Sequence, residues 1–231
     1  MSRRRPGLWA RIRAALERLA PGEALSGVFE RLRAPPERSV AFTIAIIALG
    51  AKMAKADGRV TTTEVAAFRE VFTIAPSELG NAARVFDLAR TDVAGYEDYA
   101  RRIARLFADD AETLCDVMEG LFHIAVADGA YHPSEDAFLR RVADIFAVPD
   151  RDFRALRARF APGSGTDSYD VLGVTPDTPM EQVRAAWRRA VRDGHPDRLI
   201  ARGLPPEAVR LAEQRLIAVN RAWETIRAQA A

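Results

Sequence analysis

An all-α protein in two units is what this sequence predicts, and three observations carry that prediction. The apolar residues are rich in Ala and Leu, and the basic residues are Arg apart from Lys52 and Lys55, a composition that favours helix over strand. Apolar positions recur at helical spacing along nearly the whole chain. A stretch of small residues and breakers, Ala161-Pro-Gly-Ser-Gly-Thr166, has nothing to bury and reads as a flexible linker. The expected organisation is a basic amphipathic segment over 1–36, a helical bundle over 37–160, the linker over 161–166 and a smaller helical unit over 167–231.

The elements follow in order. Leu8, Trp9, Ile12, Leu16 and Leu19 share one helical face with Arg11 and Arg18 opposite, and Pro21-Gly22 ends that helix. A short helix over 26–32 precedes Pro35-Pro36. The next helix, over 37–56, contains the longest apolar run, Val40–Ala51, and stops at Asp57-Gly58. Further helices are expected over 61–73, 76–91, 95–108, 110–127, 133–147 and 149–160. Asp109-Asp110, Gly129, Pro133 and Pro149 supply the turns and helix starts.

Composition narrows the function. With 48% hydrophobic and 29% charged residues the chain is globular in character. The net charge of +2 hides a polarity: residues 1–38 hold nine Arg against four Glu, whereas residues 39–165 hold 15 basic and 19 acidic residues. A nucleic-acid binder would be basic throughout, so no nucleic-acid partner is expected. The single cysteine, Cys115, excludes an internal disulfide and a thiolate zinc site, and reads as a buried small side chain. The 12-residue run Val40–Ala51 is too short to cross a bilayer and suits a buried core helix. The N-terminal Arg cluster lacks the apolar stretch of a signal peptide. A cytoplasmic protein is expected.

An internal repeat lies within the larger unit. Ala56-Asp-Gly-Arg-Val-Thr-Thr-Thr-Glu64 aligns with Ala127-Asp-Gly-Ala-Tyr-His-Pro-Ser-Glu135, so each copy is helix, Asp-Gly turn, helix. This repeat resembles the TerB-like family over residues 38–160. The resemblance implies a divalent-cation site at the acidic residues of the turns, here Asp57, Glu64, Asp128 and Glu135. A true EF-hand is excluded, because the preceding ligand positions hold Lys55, Met53, Val126 and Ile124. The residues also support a purely structural reading. Gly58 and Gly129 can end helices at positive φ, Thr61-x-x-Glu64 is a capping box, and Pro133 suits a first helical turn. His123 and His132 flank the second turn without a third partner and read as ordinary packed or surface residues.

Residues 168–231 divide into a short turn, Ser168-Tyr-Asp-Val-Leu-Gly-Val174, a helix over 180–192, a loop of roughly a dozen residues, and a long helix over 205–228. Ser168 and Thr178 are the expected N-caps. The long helix carries a seam of Val209, Ala212, Leu216, Val219, Trp223 and Ile226, which faces Val183, Trp187 and Ala190 or Val191 in an antiparallel hairpin. Opposite the seam, Arg184, Arg188 and Arg192 form a basic stripe with Arg189 beside them, leading to His195-Pro196-Asp197 in the loop. The order Tyr-x-x-Leu-Gly-Val, Ala-Trp-Arg-Arg, His-Pro-Asp, then Asn220-Arg-Ala-Trp-x-x-Ile226 resembles the J-domain of the DnaJ family. A TerB-like unit ahead of a C-terminal J-domain resembles the DjlA-type members.

The resemblance implies a co-chaperone, not an enzyme, that binds a DnaK-type ATPase through the basic helix and the His-Pro-Asp loop and triggers ATP hydrolysis. Arg184, Arg188, Arg189 and Arg192 would steer an acidic partner. Pro196 would stiffen the loop, Asp197 would accept charge-assisted hydrogen bonds, and His195 would donate to or pack against the same site. Asp193-Gly194 departs from the pattern of many J-domains, with Gly194 expected to loosen the loop. No catalytic set or phosphate loop is present, and no cofactor is expected beyond the cation just described. The TerB-like unit would target, sense or regulate. The rival reading is a metal- or stress-responsive protein that recruits the chaperone secondarily. DjlA-type proteins reach the membrane through an N-terminal span. Here the amphipathic helix over 8–19 could instead make a weak contact with an anionic membrane surface, dock on the bundle or remain a mobile arm.

Overall fold

The computed structural model describes residues 8–19, 24–30, 32, 38–56, 79–92, 94–127, 129–160 and 168–230. Every regular element among them is helical, as composition predicts. They are α1 (Leu8–Glu17), a 3-10 helix (Leu25–Glu30), α2 (Arg38–Ala56), α3 (Leu79–Thr91), α4 (Tyr96–Leu106), α5 (Ala111–Ala125), α6 (Pro133–Ile145), α7 (Asp150–Phe160), α8 (Ser168–Val171), α9 (Met180–Asp193), α10 (Pro196–Ala201) and α11 (Pro206–Gln229). The expected helix over 61–73, the start of the one over 76–91, the first Asp-Gly turn and the linker over 161–166 lie outside the described residues.

α2 is the axis of the bundle. Every residue from Ser39 to Ala54 is buried, so the apolar run is a core helix covered on all sides by α1, α3, α4, α5 and α6. Two polar groups on it need local partners. Thr43 Oγ1 donates to the Ser39 carbonyl at 3.0 Å, and Lys52 Nζ donates to the Asp92 carbonyl at 2.8 Å while lying 5.1 Å from the Tyr99 ring centre. Tyr99 Oη in turn donates to Asp92 at 2.5 Å. Burial pushes the Asp92 carboxyl up, but hydrogen bonds from Tyr99, Ala94 and Ser26 and the charge of Lys52 outweigh it and hold it below its ordinary value.

α1 docks on this bundle: Trp9, Ile12 and Leu16 are buried against α2 and α3. Of the three fates expected for this helix, docking is the one observed. The apolar face that a bilayer contact would use is already covered. No helix among the described residues is long and apolar enough to cross a membrane.

α5 is capped by Asp110, whose carboxylate accepts from Thr113 N at 3.0 Å and from Thr113 Oγ1 at 2.8 Å, and which also pairs with Arg38 at 3.1 Å. Close packing of α5 on α2 is permitted at Gly120, where a Cβ would lie 2.6 Å from Ile46 Cδ1. Gly129 after α5 has φ +86°, the left-handed value expected for an Asp-Gly turn.

Residues 168–230 form the expected hairpin, with a small core of Val171, Leu172, Val183, Val219, Ala222 and Ile226. Three local expectations are corrected. The cap of α9 is Pro179 and not Thr178, whose hydroxyl instead accepts from Thr175 N at 3.1 Å. The dozen-residue loop contains a helix, α10, because Pro196 occupies its first turn and Leu199 is fully buried beneath it. The long helix does not carry one continuous seam. Its C-terminal half packs on α8 and α9 through Val219, Ala222 and Ile226, whereas Ala208, Leu211 and Ala212 turn towards the bundle and join its core. Trp223 is half-buried, stacked on Trp187 with ring centres 5.2 Å apart.

Gly120→Ala is expected to lower stability by about 1–3 kcal/mol, since Ile46 is wholly buried and overpacking at such a site outweighs the helix-propensity gain. Equilibrium denaturant unfolding measures this.

Candidate chaperone-binding site

The His-Pro-Asp tripeptide is held as a helix start. α9 ends at Asp193, and Gly194 N donates to the Ala190 carbonyl at 2.9 Å. His195 then occupies the N-cap of α10, its Nδ1 accepting from Asp197 N at 3.2 Å. The His195 side chain is 52% exposed and that of Asp197 is 84% exposed. Gly194 does not loosen this region: it is buried, with φ −86°, and a Cβ there would meet the Ala190 carbonyl at 3.0 Å and Arg215 Cδ at 3.4 Å. Glycine suits the position chiefly because a Cβ would crowd the Ala190 carbonyl, with the stem of Arg215 lying just beyond. His195 and Asp197 are thus presented to solvent from a short rigid turn.

Beside it the four arginines separate into two groups. Arg184, Arg188 and Arg192 are exposed along the outer face of α9, with Arg192 Nε donating to Asp193 at 3.3 Å. Arg189 is also exposed, but it lines a cleft between α9 and the bundle together with Gln182, Ala186 and Asp193. On the hairpin side, Val183 is fully buried and Trp187 Nε1 donates to Asn220 Oδ1 at 2.9 Å, a bond that joins two positions of the recognised pattern.

The far wall of the cleft is α5, and the contact it makes is one that sequence reasoning missed. Glu112, Asp116 and Glu119 occupy one face of α5 at i, i+4 and i+7. Arg198 donates to Asp193 and Glu112, at 2.9 Å each. Arg202 bridges Glu112 and Asp116. Arg215 donates to Glu119 at 2.7 Å and also pairs with Asp116, and Arg159 from α7 donates to Glu119 at 3.3 Å. Burial alone would weaken the hold of Arg215 on its proton, but Glu119 and Asp116 more than reverse this and keep it charged. Apolar contacts run alongside: Leu199, Leu204, Ala208 and Leu211 belong to the same buried cluster as the bundle. The two units are therefore packed together. Cys115, half-buried in the cleft, has its thiol pushed up to about 12 by burial and by Asp152 and Asp116, so it is unreactive at neutral pH. The signal for this interface was the acidic face of an otherwise apolar helix, together with the acidic excess of residues 39–165.

Of the acidic turn residues, Asp57, Glu64 and Asp128 lie outside the described residues. Glu135 is described and is buried, and its Oε2 accepts from His132 N at 2.8 Å, so this carboxylate serves as a helix cap. Among the described residues no three His, Cys, Asp or Glu side chains are grouped to hold a metal ion. His123 packs edge-on against Phe160, with ring centres 6.1 Å apart.

Glu119 is only 1% exposed and serves two arginines. Glu119→Ala is expected to cost about 3–5 kcal/mol, because it leaves Arg159 and Arg215 buried with a carboxylate missing. Chemical denaturation checks it, and the loss should persist in high salt because the cluster is buried.

Comparison with known proteins agrees with this architecture. Residues 43–158 match the family described as tellurite resistance protein TerB, which spans the bundle from α2 to α7. Proteins named co-chaperone protein DjlA are similar over most of the chain. That of Photobacterium profundum is 28% identical over 217 residues, covering 83% of this chain and 78% of its own. That of Vibrio cholerae is 26% identical over 234 residues, covering 87% and 82%. That of Escherichia coli K12 is 23% identical over 219 residues, covering 84% and 81%. No solved structure matches. With the bundle, the hairpin and the His-Pro-Asp turn in this order, the chain belongs to the TerB family and is a DjlA-like co-chaperone with an N-terminal TerB-like domain and a C-terminal J-domain.

Proposed function

We propose that the chain binds a DnaK-type chaperone and stimulates its ATPase, with the TerB-like domain as a regulatory module. The observation that carries this is the pairing of an exposed, rigidly capped His195–Asp197 turn with the outward basic face of Arg184, Arg188 and Arg192. The basic face steers an acidic surface into register, and the turn inserts once the partner is oriented. Neither group needs to do chemistry. A co-chaperone that binds the hydrolysis-competent state of its partner more tightly than the other state shifts the partner towards it. An ATP-dependent partner and a chain with a single cysteine fit a cytoplasmic setting.

Single-turnover ATPase of a DnaK-type chaperone, with and without the full chain, tests the reading. His195→Gln and Asp197→Asn are each expected to abolish stimulation, Asp197→Asn with an unchanged thermal midpoint because its side chain is exposed and His195→Gln with a small drop from the lost cap of α10. Stimulation at the wild-type level by either variant removes that residue from the mechanism.

Charge reversal of the outer face is a second test. Arg184→Glu with Arg188→Glu is expected to slow association about tenfold or more at low salt and to flatten its salt dependence. Stopped-flow association rates at two ionic strengths measure it.

A further inference from the structure

We propose that the acidic face of α5 is a self-inhibitory latch: Glu112 occupies Arg198, so a chaperone that engages the His-Pro-Asp turn must compete with the TerB-like domain for that arginine. The inference rests on the co-chaperone reading above.

Arg198 is the residue after Asp197, and it is the basic group nearest in sequence to the turn on its C-terminal side. Its guanidinium bonds both Glu112 and Asp193 at 2.9 Å, so its charge is already matched by two carboxylates. Arg202, one turn further along α10, is only 17% exposed and shares Glu112 and Asp116. Six arginines of the J-domain thus form two sets. Arg184, Arg188 and Arg192 are displayed on the outer face of α9, whereas Arg198, Arg202 and Arg215 are taken up by Glu112, Asp116 and Glu119. A surface that recognises the outer set is acidic. The inner set already lies on an acidic surface, supplied by the chain itself. The TerB-like domain therefore makes on one side of the turn the kind of contact that the partner would make, and Glu112 adds a negative charge that an acidic partner has to approach.

The latch is graded. Asp116 and Glu119 are 3% and 1% exposed and pair with arginines that are themselves mostly buried, so separating them is costly. At the rim, Glu112 is 47% exposed and Arg198 41%, and an ion pair this wet is weak and exchangeable. Release of Arg198 needs only its side chain to move. Leu199 and Leu204 can remain in the bundle's core while the turn presents an additional cation to the partner.

The test uses the full-length chain with Glu112→Gln, and Asp109→Asn as a control. Asp109 is exposed just ahead of α5, so its loss removes one negative charge nearby while leaving the Glu112–Arg198 pair in place. Chaperone ATPase is titrated in single turnover, and the half-saturating concentration and the maximal rate are read separately. Glu112→Gln is expected to lower the half-saturating concentration about two- to five-fold with the maximal rate unchanged, and Asp109→Asn to leave both in place. An unchanged or raised half-saturating concentration in Glu112→Gln overturns the latch, as does an equal fall in Asp109→Asn, which would make the effect one of net charge. A wild-type chain that does not stimulate the chaperone at all overturns the co-chaperone reading itself, and the latch with it.

Discussion

The organisation of the molecule depends on two carboxylates that are buried on an apolar helix. Asp116 and Glu119 sit on α5, where most neighbouring positions are in the core, and at 3% and 1% exposure neither has water to satisfy it. They are tolerable only because arginines arrive from three other elements: Arg159 from α7, Arg202 immediately after α10 and Arg215 from α11. Two of those three belong to the J-domain. The bundle alone would leave Asp116 without these arginine partners, and Leu199, Leu204 and Leu211 of the hairpin share the bundle's buried cluster. Each unit completes the other, and for this reason the J-domain has a defined seat.

That seat is built from inside the bundle outwards. α2 is buried along its length and can be surrounded only by helices with small or complementary faces. α5 meets it through Gly120, where the missing side chain lets the two helices come close, and Glu112, Asp116 and Glu119 lie on the adjoining face that meets the J-domain arginines. Arg215 then reaches across Gly194, the residue that ends α9. The backbone leading into His195 is thereby braced by a side chain whose charge is neutralised by the TerB-like domain. Core packing, interdomain ion pairs and the geometry of the functional turn form one continuous series of contacts.

Much of this was legible in the sequence, and the illegible part has a common cause. Helix periodicity located α1, α2, α5, α6, α7 and α9 to within a few residues, because each carries a local apolar pattern. The His-Pro-Asp turn and its basic helix were recognisable because their residues are close in sequence. Single-helix reasoning failed wherever a face is satisfied from far along the chain. The α11 seam was read as one surface, yet its N-terminal half serves the bundle and its C-terminal half serves α8 and α9. α10 was read as loop, because six residues show no period and only one of them, Leu199, is a buried apolar side chain. The acidic excess of residues 39–165 was visible, but its use was not, since the paired residues are 86 to 99 positions apart. Composition suggested the basic N-terminal helix as its partner. That helix is instead seated by Trp9, Ile12 and Leu16.

At this interface arginine has a physical advantage over lysine. Arg198 bonds Glu112 and Asp193, Arg202 bonds Glu112 and Asp116, and Arg215 bonds Asp116 and Glu119. Each bridge is made by one planar group with donors fixed in a fork, which can address two carboxylates while holding both in place. A lysine ammonium is a compact, strongly hydrated charge, and burying it beside the same carboxylates would forfeit more hydration for less directional bonding. Lys52 shows a setting in which the chain does bury a lysine, with a backbone carbonyl at 2.8 Å and an aromatic face beside it. The interdomain seat is consequently a chain of shared carboxylates, Asp193–Arg198–Glu112–Arg202–Asp116–Arg215–Glu119–Arg159, running from the end of α9 beside the functional turn into the body of the TerB-like domain. A change at either end alters the electrostatic environment of the next pair along, and this gives the two domains a physical route by which the state of one can bias the other.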